Sequence, residues 1–245
     1  MDFDRELDAI ASYMKSGGKA VALTGAGISV DSGIPDFRSE GGLWARFDPM
    51  EYATIDAFRR DPKRVWEMVF ELEETVLNAR PNEAHYALAE LEKRGLLEAV
   101  ITQNIDGLHQ LAGSREVIEF HGSAARLVCL RCESRVPAKE IARCPPEPPI
   151  CRCGGIYKPD IVFFGEAIPP AAVAAASYWA SHCRLMLIIG TSALVSPASE
   201  IPVAALGAGA LLVEANLGPT PLSALCAHRI EGSAVTTLPA LVAAL

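Results

Sequence analysis

The sequence predicts an α/β protein built on a doubly wound parallel sheet, with a second, smaller module inserted into it. Short apolar runs, such as those at 19–24, 97–102 and 185–189, alternate with amphipathic segments of helical period. Uninterrupted apolar runs are typical of strands buried on both faces by helices. The segment from Cys129 to Cys153 breaks this alternation, because it is rich in Cys, Arg and Pro and poor in core-forming residues.

The elements follow from local pattern and end signals. Asp61 and Pro62 suit the N-cap and first turn of one helix, and Gly95 ends another. The predicted helices are 4–15, 62–79 and 82–94, and the predicted strands are 19–24, 97–102, 117–120, 185–189, 210–215 and 228–231.

Length and charge narrow the class of protein. The 245 residues are 50% hydrophobic, with a formal net charge of −8 and a mean hydropathy of +0.22, as expected of a globular protein with a large core. The first residues are charged, and no apolar run reaches the roughly 18 residues that a membrane span needs. We expect a cytoplasmic protein that binds neither membranes nor nucleic acid, since nucleic-acid binding rests on cations that neutralise phosphates.

The first strand runs into Gly25-Ala26-Gly27, which is typical of a loop that binds the phosphates of a dinucleotide. The third glycine of the usual fingerprint falls on Val30. The loop therefore predicts a nucleotide site that differs from that of a hydride-transferring enzyme.

The inserted segment carries two cysteine pairs. Cys129 and Cys132 form a C-x-x-C knuckle, and Cys151 and Cys153 close the segment before two glycines. Four paired thiolates suit one tetrahedral Zn²⁺, and with no coordination position left open such a zinc is structural. Disulfides and unliganded core cysteines are the alternatives, and Cys144 lies close enough in sequence to replace Cys151 as a ligand.

Polar residues recur directly after the predicted strands. Because the carboxyl ends of parallel strands line the ligand crevice of such a sheet, we expect these residues to converge on the Gly25 loop. They are Gln103, Asn104, Asp106, His121, Thr191, Ser192 and Asn216. Each one alone could equally be a turn or capping residue.

Together these motifs resemble the sirtuins, a family of NAD-dependent protein-lysine deacylases. The resemblance rests on GAGIS, GIPDFRS, TQNIDGLH, HG, the cysteine pairs, KPDIVFFGE and GTS, which follow one another in the family's order from about Gly25 onward. It implies a Rossmann-like NAD-binding domain formed by residues 1–34, 97–122 and 158–245. It also implies a cofactor loop and helical module at 35–96 and a zinc-ribbon insertion at 123–157, with Cys129, Cys132, Cys151 and Cys153 as the metal ligands.

The resemblance also implies a reaction. NAD would be consumed: the acyl-lysine oxygen attacks the nicotinamide ribose, nicotinamide leaves, and the acyl group ends on ADP-ribose. His121 would be the general base that activates a ribose hydroxyl, a role that suits an imidazole near neutral pH. Asn104 and Asp106 would act with it by orienting the ribose and the nicotinamide amide.

Further residues match the family's cofactor site. Phe37, on a mobile loop held by Asp36 and Arg38, would shield the reactive ribose from water. The glycine loop would present bare amides to the diphosphate. The full set is Gly25, Ala26, Gly27, Ile28, Asp36, Phe37, Arg38, Gln103, Asn104, Ile105, Asp106, Gly190, Thr191, Ser192, Asn216 and Ala234.

Substrate binding would fall on Val162, Phe163, Phe164, Gly165 and Glu166, which in the family pair with the substrate backbone. An ordinary buried strand explains 161–164 equally well. Family members that remove succinyl or malonyl groups carry a Tyr and an Arg on the helix after the cofactor loop; Val69 and Leu72 stand there in this chain. We therefore predict a preference for acetyl or longer neutral acyl groups over acidic ones.

Three other functions compete with this interpretation. A dehydrogenase would use the same fold, although Val30 argues against it, and a zinc-ribbon binding module would release no nicotinamide. Protein ADP-ribosyl transfer is the nearest alternative, since it uses the same bound NAD and the same leaving group.

Overall fold

The computed structural model describes residues 3–17, 19–37 and 39–245. Its helices are α1 (Phe3–Lys15), α2 (Pro49–Tyr52), α3 (Ile55–Arg60), α4 (Pro62–Asn78), α5 (Glu83–Lys93), α6 (Leu108–Ala112), α7 (Pro170–His182), α8 (Glu200–Gly207) and α9 (Ala234–Ala244). Its strands are β1 (Ala20–Thr24), β2 (Leu97–Thr102), β3 (Val117–Glu119), β4 (Gly122–Cys129), β5 (Arg135–Pro137), β6 (Tyr157–Ile161), β7 (Leu185–Ile189), β8 (Leu211–Asn216) and β9 (His228–Glu231).

Six strands form one parallel sheet in the order β3-β2-β1-β7-β8-β9. The order proceeds outward from β1 through β2 to β3, and then restarts on the other side of β1 with β7. This reversal is the topological switch point of a doubly wound sheet, at which ligands bind. The predicted fold class is therefore confirmed, and the switch point lies between β1 and β7.

Helices cover both faces of this sheet. On one face the buried residues of α1, α5 and α9 pack against β1 and β7, and on the other face those of α7 and α8 do so. Every residue of β1 and β7 is buried, which is the physical reason that both read as uninterrupted apolar runs.

A second, antiparallel sheet has the order β5-β4-β6 and carries the cysteine segment. Its apolar side packs with α3 and α4 in a separate core that includes Phe58, Trp66 and Leu127. The Trp66 indole Nε1 donates to the backbone carbonyl of Tyr157 at 3.0 Å, which fixes α4 against β6.

Two features differ from the predicted domain boundaries. Helix α5, expected within the helical module at 35–96, packs on the parallel sheet with Leu88 and Leu91 in its core. Strand β6, most of which was assigned to the Rossmann-like domain, pairs instead with β4 in the small sheet. In the described ranges, no helix is long and apolar enough to cross a membrane.

Candidate functional site

Two glycine-containing loops meet at the switch point. The N–H of Gly25 donates to the Ile189 carbonyl at 3.0 Å, and the N–H of Gly27 donates to the Gly190 carbonyl at 2.8 Å. A Cβ on Gly25 or Gly27 would stand 2.8 Å from the Gly190 backbone. Gly190 itself has φ +57°, and a Cβ on it would lie 2.5 Å from the Ile28 nitrogen. These glycines therefore permit the two loops to touch.

This contact changes the expected role of the glycine amides. Because Gly25 and Gly27 donate inside the protein, their N–H groups do not face a diphosphate. Within the described ranges, the backbone N–H groups of Ala26, Thr191 and Ser192 donate to no protein acceptor. Free amides at the switch point are the donors that a dinucleotide diphosphate needs, so the residues present fit NAD.

Polar side chains from neighbouring strands tie this edge of the sheet together. The Gln103 side-chain amide donates to the Thr191 hydroxyl at 3.0 Å, and its backbone N–H donates to the Thr24 carbonyl at 2.9 Å. Asn216, at the end of β8, donates from Nδ2 to the Thr191 carbonyl at 2.8 Å. Residues predicted after β2, β7 and β8 thus converge, although they are far apart in sequence.

Asn104 and Asp106 lie beside the glycine loop and share Ser29 as a partner. Asn104 Nδ2 donates to the Gly25 carbonyl and to Ser29 Oγ, both at 3.1 Å. Ser29 Oγ donates to Asp106 Oδ2 at 2.7 Å, and the Leu108 N–H donates to Oδ1 at 2.9 Å. Burial raises the pKa of the Asp106 carboxyl, although these two hydrogen bonds oppose the rise.

A pair of buried histidines lies beneath this group. The rings of His85 and His109 are 4.9 Å apart, and His109 Nε2 is 2.9 Å from Thr24 Oγ1. Burial lowers the pKa of His85 to about 4 and that of His109 to about 3, so both are neutral near pH 7. His109 Nδ1 is buried without a hydrogen-bond partner in the described residues. Because the Thr24 hydroxyl donates its proton to Thr102 Oγ1 at 2.9 Å, Thr24 accepts from His109, whose neutral ring is therefore protonated on Nε2.

His121 follows β3 and is fixed by one hydrogen bond. Its Nδ1 lies 3.2 Å from the carbonyl oxygen of Gln103. Since a carbonyl can only accept, Nδ1 carries the proton and Nε2 is the basic nitrogen. Burial lowers the pKa of His121, and the hydrogen bond to Gln103 partly offsets this. The imidazole is thus held as a neutral base with one available nitrogen.

Phe37 belongs to a row of three aromatic side chains. Its ring centroid lies 5.2 Å from that of Trp44, and Trp44 lies 6.4 Å from Phe164. Phe37 is 38% exposed. Asp36 accepts hydrogen bonds from the backbone and hydroxyl of Ser39, which turns the chain back toward Trp44. Arg38, the other residue predicted to hold this loop, lies outside the described residues.

The segment predicted to bind substrate is largely paired with the protein itself. The N–H groups of Val162 and Phe164 donate to the carbonyls of His121 and Ala53, each at 2.9 Å, and the Phe163 N–H donates to Glu166 Oε2 at 2.8 Å. Phe163 is buried, whereas Phe164 is 43% exposed. Within the described ranges, the Val162 carbonyl and both backbone groups of Gly165 have no protein partner.

Three further predicted cofactor residues have mainly backbone or packing roles. Ile28 is buried in the same core as Ala234, which opens α9. The Ile105 carbonyl accepts a hydrogen bond from the Ala124 N–H at 3.0 Å. These contacts hold the loops after β1 and β2 in place.

The four predicted metal ligands lie together at one end of the small sheet. The sulfur atoms of Cys129, Cys132, Cys151 and Cys153 all lie within 4.8 Å of one another. The Cys129–Cys153 and Cys132–Cys151 separations are 3.5 and 3.8 Å, close to the ~3.8 Å edge of a tetrahedron with zinc–sulfur bonds of about 2.3 Å.

The loop around this cluster is shaped for it. The N–H of Gly155 donates to the Cys153 sulfur at 3.4 Å, and a Cβ on Gly155 would stand 2.7 Å from the Cys129 sulfur. The arrangement fits a structural Zn²⁺, and the cysteines carry no disulfide. Cys144 is exposed and does not join the cluster, so Cys151 completes the set.

Sequence reasoning missed several residues of the site. They are Ser29, Trp44 and Lys158. Ser29 stands in the GAGIS motif, which is the only sequence signal for it; its burial, at 1% exposed, becomes evident only in the structure. Nothing in the local sequence indicates the contacts of Lys158 with Ile161 and Glu166, which depend on the turn that follows β6. The contact of Trp44 with Phe164 joins segments that are far apart in sequence.

Comparison with known proteins agrees with this geometry. The sequence profile of the Sir2 family matches residues 25–197. A Pyrobaculum aerophilum protein named NAD-dependent protein deacylase 2 is 47% identical over 238 residues, which is 95% of this chain and 93% of that protein. A solved complex of a Sir2 homologue with NAD superimposes with a TM-score of 0.90 at 39% identity, covering 99% of this chain and 93% of the other.

A third match is a Sir2 variant solved with a deacetylated p53 peptide and 3′-O-acetyl ADP-ribose. It has a TM-score of 0.89 and 36% identity, and covers 99% of this chain and 98% of the other. A doubly wound sheet with a nucleotide site at its switch point and a four-cysteine module, together with these matches, defines the class of protein as a NAD-dependent protein deacylase. The chain belongs to the Sir2 family.

Proposed function

We propose that this sirtuin transfers the acyl group of acyl-lysine side chains to ADP-ribose derived from NAD, with release of nicotinamide, and that it prefers neutral acyl groups. Family membership makes the chain a NAD-dependent protein deacylase. The observation that carries the transfer reaction is His121, which offers a basic nitrogen at the edge of the sheet. At the same edge the amides of Ala26, Thr191 and Ser192 donate to no acceptor among the described residues.

NAD, when bound, supplies a glycosidic bond whose nicotinamide can be displaced by the acyl oxygen. The residues around it position the reactants. We assign the free amides of Ala26 and Ser192 to the diphosphate, since they are unpaired donors at the switch point. Asn104 and Asp106, locked to each other through Ser29, would orient the ribose and the nicotinamide amide.

The hydrogen bond from His121 Nδ1 to Gln103 sets the direction of proton transfer. It leaves Nε2 to remove a proton from a ribose hydroxyl. The oxygen of that hydroxyl would then bond to the acyl carbon, and the bond from this carbon to the lysine nitrogen would break, so that the free lysine amine departs. Because burial lowers the pKa of His121, the base remains neutral at and somewhat below neutral pH. A neutral, fixed imidazole is what this step requires.

Phe37 would exclude water from the cleaved ribose centre. Its contact with Trp44, and that of Trp44 with Phe164, place the proposed shield and the proposed substrate segment in one aromatic row. Water exclusion favours acyl transfer, because the alternative fate of the activated sugar is hydrolysis.

The peptide would pair with backbone groups that the protein leaves open. The free carbonyl of Val162 and the free N–H and carbonyl of Gly165 can bond to an extended chain without reading its side chains. We therefore expect broad tolerance of peptide sequence and specificity mainly for the acyl-lysine itself.

The acyl preference follows from α4. Val69 and Leu72 offer no partner to a carboxylate, and Val69 packs with the core of the small sheet. Two cations that contact α4 are already engaged: Arg46 pairs with Glu71, and Arg143 forms three hydrogen bonds with Glu73. A succinyl carboxylate would thus lose hydration without gaining a cation.

A direct assay tests the proposal. Acetyl and succinyl versions of one peptide are incubated with and without NAD, and free nicotinamide, peptide mass and acyl-ADP-ribose are followed. We expect NAD-dependent deacetylation that is at least about tenfold faster than desuccinylation, as one missing charged contact is worth about 1.4 kcal/mol or more. Faster desuccinylation would refute the acyl preference, and ADP-ribose on the protein target instead of deacetylation would refute the reaction.

A further inference from the structure

Lys158 is a buried cation with no role in the reaction described above. Its side chain is 3% exposed, and its Nζ donates to Glu166 Oε2 at 2.9 Å and to the Ile161 carbonyl at 2.5 Å. It also lies 4.5 Å from the ring centroid of Phe163. Burial lowers the pKa of Lys158, and Glu166 opposes that shift. Burial of a charged ammonium costs free energy, which its contacts with Glu166 and the Ile161 carbonyl offset. The role of Lys158 is therefore to be found in what these partners do.

The partner carboxylate closes a tight turn. The Glu166 N–H donates to the Phe163 carbonyl at 2.9 Å, and Gly165 has φ +85°, as the third residue of a type II turn requires. The Glu166 side chain then reaches back to accept the Phe163 N–H at 2.8 Å. One residue thus bonds to both backbone groups of Phe163.

The same turn is fixed from the opposite side. The Phe164 N–H and carbonyl bond to Ala53 and Ile55 at 2.9 and 3.0 Å, in a short parallel bridge with the start of α3. Phe163 packs against Phe58 of that helix, with 5.8 Å between ring centroids. The turn is therefore held between α3 and β6, and Lys158 is its attachment to β6.

The open backbone groups lie on this turn and next to it. The Val162 carbonyl precedes it, and the Gly165 N–H and carbonyl are part of it. Their directions depend on the conformation of residues 163–166, which the bonds of Lys158 and Glu166 maintain. Without the carboxylate, the Phe163 N–H and the Lys158 ammonium would both lose a buried partner, and the turn would relax.

We propose that Lys158 and Glu166 form a positioning pair for the acyl-lysine peptide, holding the 163–166 turn so that the Val162 carbonyl and the Gly165 backbone groups face the incoming chain. The pair acts through the backbone and on peptide affinity, whereas the NAD site at the switch point is built by other residues. This inference rests on the proposed deacylase function.

The test compares four variants with the wild type: Glu166→Ala, Glu166→Gln, Lys158→Met and the double variant Lys158→Met/Glu166→Gln. Measurements are the KM for an acetyl-lysine peptide, the KM for NAD, kcat, and the Kd of a fluorescent acetyl-lysine peptide in the presence of ADP-ribose. Arg126→Met is the matched control, since it breaks the ion pairs of Arg126 on β4 with Asp160 on β6 and with Glu119 at the end of β3, without touching the turn.

We expect Glu166→Ala and Lys158→Met to raise the peptide KM and Kd about tenfold, with the NAD KM within about twofold of the wild type. Glu166→Gln keeps an acceptor for the Phe163 N–H, so we expect a smaller rise, of about threefold. In the double variant the two effects should combine to less than their product, because each single change already breaks the pair. Arg126→Met should lower the melting temperature without changing the peptide KM.

Other results would overturn the inference. An unchanged peptide KM in both Glu166→Ala and Lys158→Met would do so, as would a fall in kcat alone or a parallel rise in the NAD KM. If Glu166→Ala does not fold, Glu166→Gln and Lys158→Met decide the question. A wild-type protein that fails to deacetylate any peptide with NAD refutes the deacylase proposal itself, whereas an active wild type with unaffected variants refutes only the positioning role.

Discussion

Gly27 and Gly190 are in direct backbone contact at the switch point of the sheet. The N–H of Gly27 donates to the Gly190 carbonyl at 2.8 Å, and a Cβ on Gly27 would meet the Gly190 Cα at 2.8 Å. The contact between the loop after β1 and the loop after β7 thus leaves no room for a side chain on either glycine. The missing third fingerprint glycine at Val30 is consistent with this arrangement, since Val30 is 45% exposed and its side chain is accommodated at the surface.

This contact predicts a severe effect of Gly190→Ala. The new Cβ would lie 2.5 Å from the Ile28 nitrogen, on a residue with φ +57°, so we expect a loss of roughly 2 kcal/mol or more in stability and weaker NAD binding. Urea unfolding and NAD titration measure the two effects. Gly209→Ala is the control, because Gly209 also has positive φ but open space, and it should cost only about 1 kcal/mol. Equal losses in both variants would show that crowding is unimportant.

His121→Ala should abolish most deacetylation while NAD still binds. Removal of a general base costs typically about 10²-fold or more in kcat, and the amides assigned to the diphosphate are untouched. His182→Ala, at an exposed histidine on α7, should retain wild-type activity. A variant lacking His121 with near-normal kcat would exclude the imidazole as the base.

The pH profile of kcat/KM gives a separate check on His121. The active form is the neutral imidazole, and burial lowers its pKa below the ordinary value of 6.5. The acid limb of the profile should therefore have its midpoint below pH 6.5. A decline that begins well above pH 7 would contradict a buried neutral base.

The buried pair His85 and His109 predicts acid instability. Both have a pKa near 6.5 in the unfolded chain but about 4 and about 3 in the folded protein, so the unfolded state binds more protons below pH 6.5. Their contribution to stability is complete above pH 6.5 and declines as pH falls toward 4, at up to about 1.4 kcal/mol per pH unit for each histidine.

His85→Gln should weaken this pH dependence between 6.5 and 4, even if it lowers stability at pH 8. His182→Gln, at the exposed position, should leave the slope as in the wild type. Urea unfolding at several pH values measures the slopes. A slope in His85→Gln equal to that of the wild type would contradict the assignment.

The cysteine cluster predicts which thiols hold zinc. Cys151→Ser should reduce the metal content from one zinc per chain and lower the melting temperature sharply, since structural zinc sites contribute directly to folding. Cys144→Ser should retain the metal and the stability, because Cys144 lies outside the cluster. Metal analysis by mass spectrometry and thermal unfolding provide the readouts. Retention of zinc by Cys151→Ser would contradict the four-sulfur set.

Local sequence was most reliable where a strand is buried on both faces. The bounds of β2 and β7 match the predicted runs at 97–102 and 185–189, because nearly every position must be apolar there. Local sequence provided no prediction for α2, α3, α6, α7, α8, α9 or the small sheet. Strand β5 has no buried residue and β4 is only partly buried, so neither has the alternation that would mark it.

The sequence by itself determined the fold class, the family resemblance, the four cysteines and the polar residues after each strand. These depend on residue type and spacing, which hydrophobic burial and metal coordination constrain locally. The tertiary structure alone decided how those residues are linked. In the folded protein the amides of Gly25 and Gly27 donate to carbonyls at the end of β7 and in the loop that follows it. Ser29 links Asn104 to Asp106, and the hydrogen bond to Gln103 fixes the tautomer of His121. The tertiary structure also brought Lys158 to Glu166, because the turn between them depends on how residues 163–166 pack against α3 and not on the identity of the two residues alone.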